Sequence, residues 1–328
     1  MTTVEEPLLR ARNIVQEFTV RGRGGVKGGV VHAVSDVSFD IHSGETLGVV
    51  GETGSGKSTL ARSIIQAPRP KSGEVHFNGT DLMHAKRSGI AEARRQMQMV
   101  FQDPFGSLNP RWRVSDIVAE PLVGYGVGNG SERARRVREL LDLVGLNPDT
   151  YGKRRPHELS GGQCQRVAIA RAIALDPALI VCDEAVSSLD VLIQAQVLNL
   201  FEQLRTELKL SYLFISHDLA LVKQVSDRVA VMHLGQLCEI GPAETLYRAP
   251  LHPYTVALLA SIPELDPSTA RQRKALSIKG EPPSPISPPS GCRFRTRCPR
   301  AVQRCADEAP VLRELTPGHS VACHFPEQ

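Results

Sequence analysis

From residue 8 to residue 50, short apolar runs alternate with turn residues. Leu8–Phe18 and His32–Ile41 predict two strands. Between them, Arg21-Gly22-Arg23-Gly24-Gly25-Val26-Lys27-Gly28-Gly29 is too glycine-rich for a regular element and predicts a flexible hairpin tip. Thr46-Leu47-Gly48-Val49-Val50 predicts a buried strand, with a helix over Ser58–Gln66. Met97–Phe101 predicts the next core strand, followed by about 70 residues of helical patterning. Glu132–Val144 and Gly162–Leu175 are its clearest helices. Ala178–Cys182, Tyr212–Ile215 and Val229–Met232 predict further strands, and Val191–Leu208 a long helix. Strands alternating with helices define an α/β class with a mostly parallel sheet covered on both faces.

Composition narrows this picture only a little. The 328 residues, 41% of them hydrophobic, suffice for one large core or two modest domains. Thirty-nine Lys and Arg against thirty-five Asp and Glu leave a net charge of +4, which gives no argument for nucleic acid. No run of 18 apolar residues is present, so no transmembrane helix is expected. The first ten residues carry Glu5 and Glu6 and lack the apolar core of a signal peptide. The expectation is a cytoplasmic protein, peripheral if it serves a membrane.

Gly51-Glu52-Thr53-Gly54-Ser55-Gly56-Lys57-Ser58 fits G-x-x-x-x-G-K-[ST] between an apolar strand and a helix. Glycines let successive backbone N–H groups turn inward around phosphate oxygens, and the helix N-terminus adds to the attraction. Lys57 is expected to reach the β- and γ-phosphates, and the Ser58 hydroxyl, followed by Thr59, to ligate Mg²⁺. Ala178–Cys182 then ends in Asp183 and Glu184. A strand tip beside such a loop would set Asp183 near the metal and let Glu184 polarise the attacking water.

Leu159-Ser160-Gly161-Gly162-Gln163 opens a helix with residues suited to capping and anion binding. The phosphate loop, this pentapeptide and the Asp-Glu strand, in that order, resemble the ATP-binding cassette of ABC proteins over roughly residues 8–250. The resemblance implies a P-loop NTPase cassette with a helical insert near 104–172. It further implies roles for single residues. Gln102 matches the glutamine that senses γ-phosphate and metal and touches a transmembrane partner. Ser187-Ser188-Leu189-Asp190 matches the loop crossing between two ATP sites. His217 matches the switch histidine on the γ-phosphate, and Phe18 the aromatic that stacks on adenine. In this family the signature acts in trans, so Ser160, Gly161, Gly162 and Gln163 would meet ATP held by a second ATPase subunit, identical or related. Cys164 departs from the polar long-chain residue usual after the signature. It would be tolerated there, and would offer an oxidisable thiol if exposed.

Beyond residue 250 the composition breaks. Gly280–Ser290 holds five prolines in eleven residues and predicts an extended connector. Four of the seven cysteines, Cys292, Cys298, Cys305 and Cys323, fall within the last 37 residues. In a reducing compartment such clustering suggests metal or cluster ligation more than disulfides. Four thiolates suit one Zn²⁺ or one [4Fe–4S] cluster, although the tight C-x2-C pairs of zinc ribbons are missing. His319 and His324 are candidate substitute ligands. Leu251-His252-Pro253-Tyr254-Thr255, the connector and the cysteine spacing resemble the tail of oligopeptide and dipeptide importer ATPases, some of which resemble iron–sulfur proteins. That favours the cluster, with zinc and free thiols left open.

These resemblances imply a cassette over 1–250 and a small Cys-containing C-terminal extension over 251–328. The expected activity is ATP hydrolysis, with Mg²⁺, energising import of di- and oligopeptides. Transmembrane permease subunits would carry the peptide, supplied by an extracytoplasmic binding protein, with the ATPase on the cytoplasmic face. An importer ATPase for nickel or another small solute, and a soluble non-transport ABC ATPase, are the alternatives.

Overall fold

The structure is a computed structural model that describes residues 6–21, 28–262 and 280–327. The strands, in chain order, are β1 (Leu9–Val20), β2 (Gly29–Ile41), β3 (Thr46–Val50), β4 (Ser72–Phe77), β5 (Thr80–Asp81), β6 (Met97–Val100), β7 (Leu179–Asp183), β8 (Ser211–Ile215), β9 (Arg228–His233), β10 (Gln236–Pro242), β11 (Arg313–Thr316) and β12 (His319–Val321). The chain divides into two units.

The first unit comprises residues 1–41, 46–84 and 215–328. It holds an antiparallel sheet of order β2-β1-β4-β5. β1 and β2 form the expected hairpin and run further toward the tip than the apolar pattern does, because pairing continues to Val20↔Gly29. The tip itself, residues 22–27, lies outside the described residues. β4, absent from the sequence reading, pairs with β1 from Leu9↔Phe77 to Val15↔Ser72. The unit also carries the order β11-β12-β10-β9-β3. β3 and β9 are parallel, from Leu47↔Arg228 to Val50↔Val231, and every residue of β3 is buried, as its mostly apolar run predicts. β10 returns antiparallel to β9 through Leu234 and Gly235, both at positive φ (43° and 81°), the conformation a two-residue hairpin demands.

The tail is built into this unit. β12 pairs with β10, Glu239 opposite Val321, and β11 pairs with β12. Residues 280–290 form no helix or strand, as the prolines predict. Pro285 O accepts from His32 N at 3.0 Å.

The second unit comprises residues 42–45 and 85–214. Its strands run in the order β8-β7-β6, with β6 parallel to β7. β7 and β8 are buried throughout. Between β6 and β7 the elements are helical, and Val114–Gly124, Gly130–Leu143 and Gly161–Ala172 pack on one another. Gly130–Leu143 starts from a capping box, in which Asn129 Oδ1 accepts from the Ser131 and Glu132 amides and Glu132 returns a bond to Asn129 N. The long helix Val191–Leu208 has the bounds its pattern predicts and is capped by Asp190.

Candidate functional site

The phosphate loop leaves β3 and enters the helix Lys57–Ile64. Two of its glycines are dictated by geometry. Gly51 has φ 153°, and a Cβ there would sit 2.1 Å from Met232 O; Gly56 has φ 104°, and its Cβ would sit 2.1 Å from Ala33 O. No side chain caps the helix, and its first turn carries no acid, so the amides and the positive end of the dipole are left for an anion. Ser55 Oγ is buried and makes no hydrogen bond among the described residues. A glycine-lined cradle, uncapped amides and a spare hydroxyl fit a nucleotide phosphate. The Lys57 ammonium, 4% exposed, rests on the carbonyls of Gly51 (2.7 Å) and Glu52 (3.0 Å). In the same unit Phe18 is 39% exposed on β1, as an aromatic offered to a ligand must be, and His217 follows β8 on the surface.

The second unit carries the acids. Asp183 closes β7 with 5% exposure. Glu184 follows at φ 52°, a left-handed backbone unusual for a residue with a side chain. Gln102 Nε2 donates to Glu184 Oε2 at 3.0 Å, so these two expected site residues do meet. Ser188 Oγ donates to Gln102 O at 3.3 Å, which ties the Ser187–Asp190 loop to the same corner.

Ser160 caps the helix Gly161–Ala172 in a reciprocal box. Its Oγ accepts from Gln163 N at 3.3 Å, and its own N–H donates to Gln163 Oε1 at 3.0 Å. Gly161 and Gly162 form its first turn. The thiol of Cys164 is not exposed as the oxidation reading required. It is fully buried against Pro156 O, and burial pushes its pKa up to about 11, so it stays an inert thiol.

In the tail, Cys292, Cys298, Cys305 and Cys323 line one cavity of about 20 Å³, with Phe294, Phe325 and His324 beside them. All four are free thiols. Burial raises the pKa of Cys292 and Cys298 and takes that of Cys323 to about 11. The cavity is no larger than a water molecule needs. Among the described residues no group of three or more His, Cys, Asp or Glu side chains is placed to hold a metal ion. The residue types suit a metal; the space, as built, does not fit a cluster. His319 is no substitute ligand: its Nε2 lies 2.7 Å from Glu239 Oε1, both side chains being buried. His324 Nε2 pairs with Glu308 O.

Sequence reasoning missed what surrounds Glu52. Its carboxylate takes a two-pronged bond from Arg297, and its N–H donates to Tyr254 Oη. A signal was available: an acid within an anion-binding loop needs a cation, and the loop supplies no second one.

Residues 34–187 match the family described as ABC transporter, and residues 238–305 match the oligopeptide/dipeptide transporter C-terminal region. The putative oligopeptide transport ATP-binding protein YkfD of Bacillus subtilis is 49% identical over 97% of this chain and 95% of its own length. The oligopeptide transport ATP-binding protein AppF of the same organism is 48% identical over 98% of each chain. A putative peptide import ATP-binding protein of Brucella ovis is 48% identical over 97% of this chain and 98% of its own. Among solved structures, the ATP-binding cassette MJ0796, a dimer bound to ADP and Pi, has a TM-score of 0.63 at 27% identity. It covers 72% of this chain and 98% of its own. CbiO1 from Clostridium perfringens has a TM-score of 0.63 at 26% identity, over 74% of this chain and 92% of its own. The chain belongs to the ABC transporter family, as one of its ATP-hydrolysing subunits. Within that family it carries the C-terminal region of the oligopeptide/dipeptide transporters.

Proposed function

We propose that this subunit hydrolyses ATP to drive import of di- and oligopeptides through a separate transmembrane permease. The observation that carries the reading is near-half identity across almost the whole chain, tail included, to proteins named for oligopeptide transport. Gly51–Thr59 would hold the phosphates, Phe18 the adenine, and Ser58, Gln102 and Asp183 the Mg²⁺, whose chemistry is to neutralise charge on the transferred phosphoryl group. Glu184 would orient and deprotonate the attacking water, and His217 would contact the γ-phosphate. The hydrogen bond from Gln102 to Glu184 supports a shared task for that pair.

One chain has one phosphate loop and one signature. Ser160–Gln163 and Asp190 would therefore complete the ATP site of a second ATPase subunit, a reading supported by the dimer that MJ0796 forms. Among the described residues no helix is long and apolar enough to cross a membrane. In this reading the subunit would sit on the cytoplasmic face of the permease, with an extracytoplasmic binding protein delivering substrate. The division into a cassette over 1–250, with its insert near 104–172, and an extension over 251–328 belongs to the same reading. So does a [4Fe–4S] cluster on the four tail cysteines. Their convergence on one cavity favours a shared ligand, and the cavity would have to widen to take it. Iron and sulfide analysis of anaerobically purified protein decides that point.

The functional test is reconstitution with the copurified permease in liposomes. Peptides supplied with the binding protein should raise ATP hydrolysis and appear inside. Uptake of Ni²⁺ in place of peptides would overturn the substrate, and ATPase activity with no permease recovered from membranes would overturn transport.

A further inference from the structure

Glu52 occupies a variable position of the phosphate loop, and phosphate binding needs no carboxylate there. It works against one: a negative charge in an anion cradle repels the ligand unless a cation neutralises it. The structure holds this residue at three points. Its carbonyl accepts from Lys57 Nζ at 3.0 Å. Its N–H donates to Tyr254 Oη at 3.0 Å, and that hydroxyl donates back to Oε2 at 3.4 Å. Its carboxylate receives Arg297 Nη1 on Oε2 at 2.7 Å and Nη2 on Oε1 at 2.9 Å. The Arg297 side chain is 5% exposed and the Glu52 side chain 25%.

The surroundings fix this arrangement. His233, Tyr254 and Phe294 pack ring on ring, with centroids 4.5 to 5.5 Å apart. Burial pushes the His233 pKa down to about 4, so the ring beside the ion pair is neutral at pH 7. Partial burial of the Glu52 carboxyl raises its pKa, but the Arg297 hydrogen bonds and charge outweigh that and hold it below the usual range. Arg297 stands directly before Cys298, and its N–H donates to Phe294 O at 3.0 Å, so its backbone belongs to the turn that enters the cysteine cavity.

We propose that Arg297 is a positioning residue of the ATP site: acting through Glu52, it neutralises and fixes the phosphate loop, so that the cysteine-bearing tail sets nucleotide affinity. This rests on the reading of Gly51–Ser58 as the ATP cradle. Removing the guanidinium leaves a bare carboxylate in the loop; removing both charges leaves none. Coupling between two sites is reciprocal, so bound ATP should in turn protect the turn at Cys298.

The test uses the full chain and Mg·ATP. Equilibrium binding is measured for wild type, Arg297→Gln, Arg297→Lys, Glu52→Gln and the double variant Glu52→Gln/Arg297→Gln. Losing two charge-assisted bonds and gaining a repulsion should weaken ATP binding about tenfold or more in Arg297→Gln. KM should rise while kcat stays within about threefold, since the reacting atoms are untouched. Arg297→Lys should restore most of the affinity, and the double variant should bind better than Arg297→Gln alone. A purely structural loss would lower the melting temperature along with the affinity, so thermal melting is read beside binding for every variant. Amide hydrogen exchange across 294–298, read by peptide mass mapping, should slow with ATP in wild type and lose that dependence in Arg297→Gln. Wild-type affinity in Arg297→Gln, or a double variant no better than the single one, would overturn the proposal. If Arg297→Gln does not fold, Arg297→Lys and the double variant carry the test: tenfold weaker binding in both at unchanged melting temperature overturns it. Wild-type protein that binds no ATP would overturn the cradle reading instead.

Discussion

Glu239 is fully buried on β10, and three groups end on its carboxylate: His319 Nε2 at 2.7 Å, Leu251 N at 2.8 Å and His252 N at 2.9 Å. Glu239→Ala should therefore be among the most destabilising single changes in the first unit. Such hydrogen bonds contribute about 0.5–1.5 kcal/mol each, and each orphaned buried donor costs about 1–3 kcal/mol. The terms overlap, so about 3–5 kcal/mol is expected. Glu239→Gln keeps the shape and one good acceptor and should lose about half as much. The assay is chemical denaturation combined with amide hydrogen exchange. Exchange should quicken first at β12 and across 251–254, the backbone tied to that carboxylate. ATP affinity should fall with it, because His252 opens the helix that carries Tyr254 to Glu52. A Glu239→Ala protein within about 0.5 kcal/mol of wild type, with unchanged exchange at β12, would refute the reasoning.

Glu184→Gln should lower ATP turnover by about 10²–10⁴-fold and leave ATP binding intact, as a general base should; steady-state kinetics beside equilibrium binding would show it. Lys57→Ala should weaken ATP binding itself, and unchanged affinity in a titration would remove Lys57 from the cradle. Acidification from pH 7 to 5 should lower the melting temperature. Burial depresses the folded-state pKa of His233 to about 4 and of His252 to about 3. The unfolded chain therefore takes up protons below about 6.5 that the folded one refuses, and stability falls with pH through that window. The upper limit is about 2 kcal/mol for each histidine at pH 5; a melting temperature flat across the range would contradict it.

The phosphate loop and the strands and helices around it were legible because their signals are local. The phosphate loop is eight contiguous residues, β3 and β7 are short, mostly apolar runs, and Val191–Leu208 is a long helix with the bounds its pattern predicts. The tail's family and its proline connector were legible, but its strands were not. All four residues of β11, Arg-Glu-Leu-Thr, are exposed and show no apolar alternation. β12 is a strand only because β10 lies beside it, a pairing set by tertiary contact rather than propensity. Nothing in the sequence singles out Glu239, and only the structure reveals its three partners. Cys164 was left conditional for the same reason: a thiol's reactivity depends on exposure, which no pattern around it reports, and the structure buries it.

The pairing of Arg297 with Glu52 also sets an order of assembly. Lys57 reaches Gly51 across 6 residues, whereas Arg297 reaches Glu52 across 245. Closing the longer span costs about 3 kcal/mol more loop entropy than the shorter. The cradle's own contacts therefore form early and its outer fastening late. During synthesis the ribosome makes the phosphate loop long before the arginine that neutralises it. Until residue 297 is made, Glu52 lacks the guanidinium that holds its carboxylate in the finished fold.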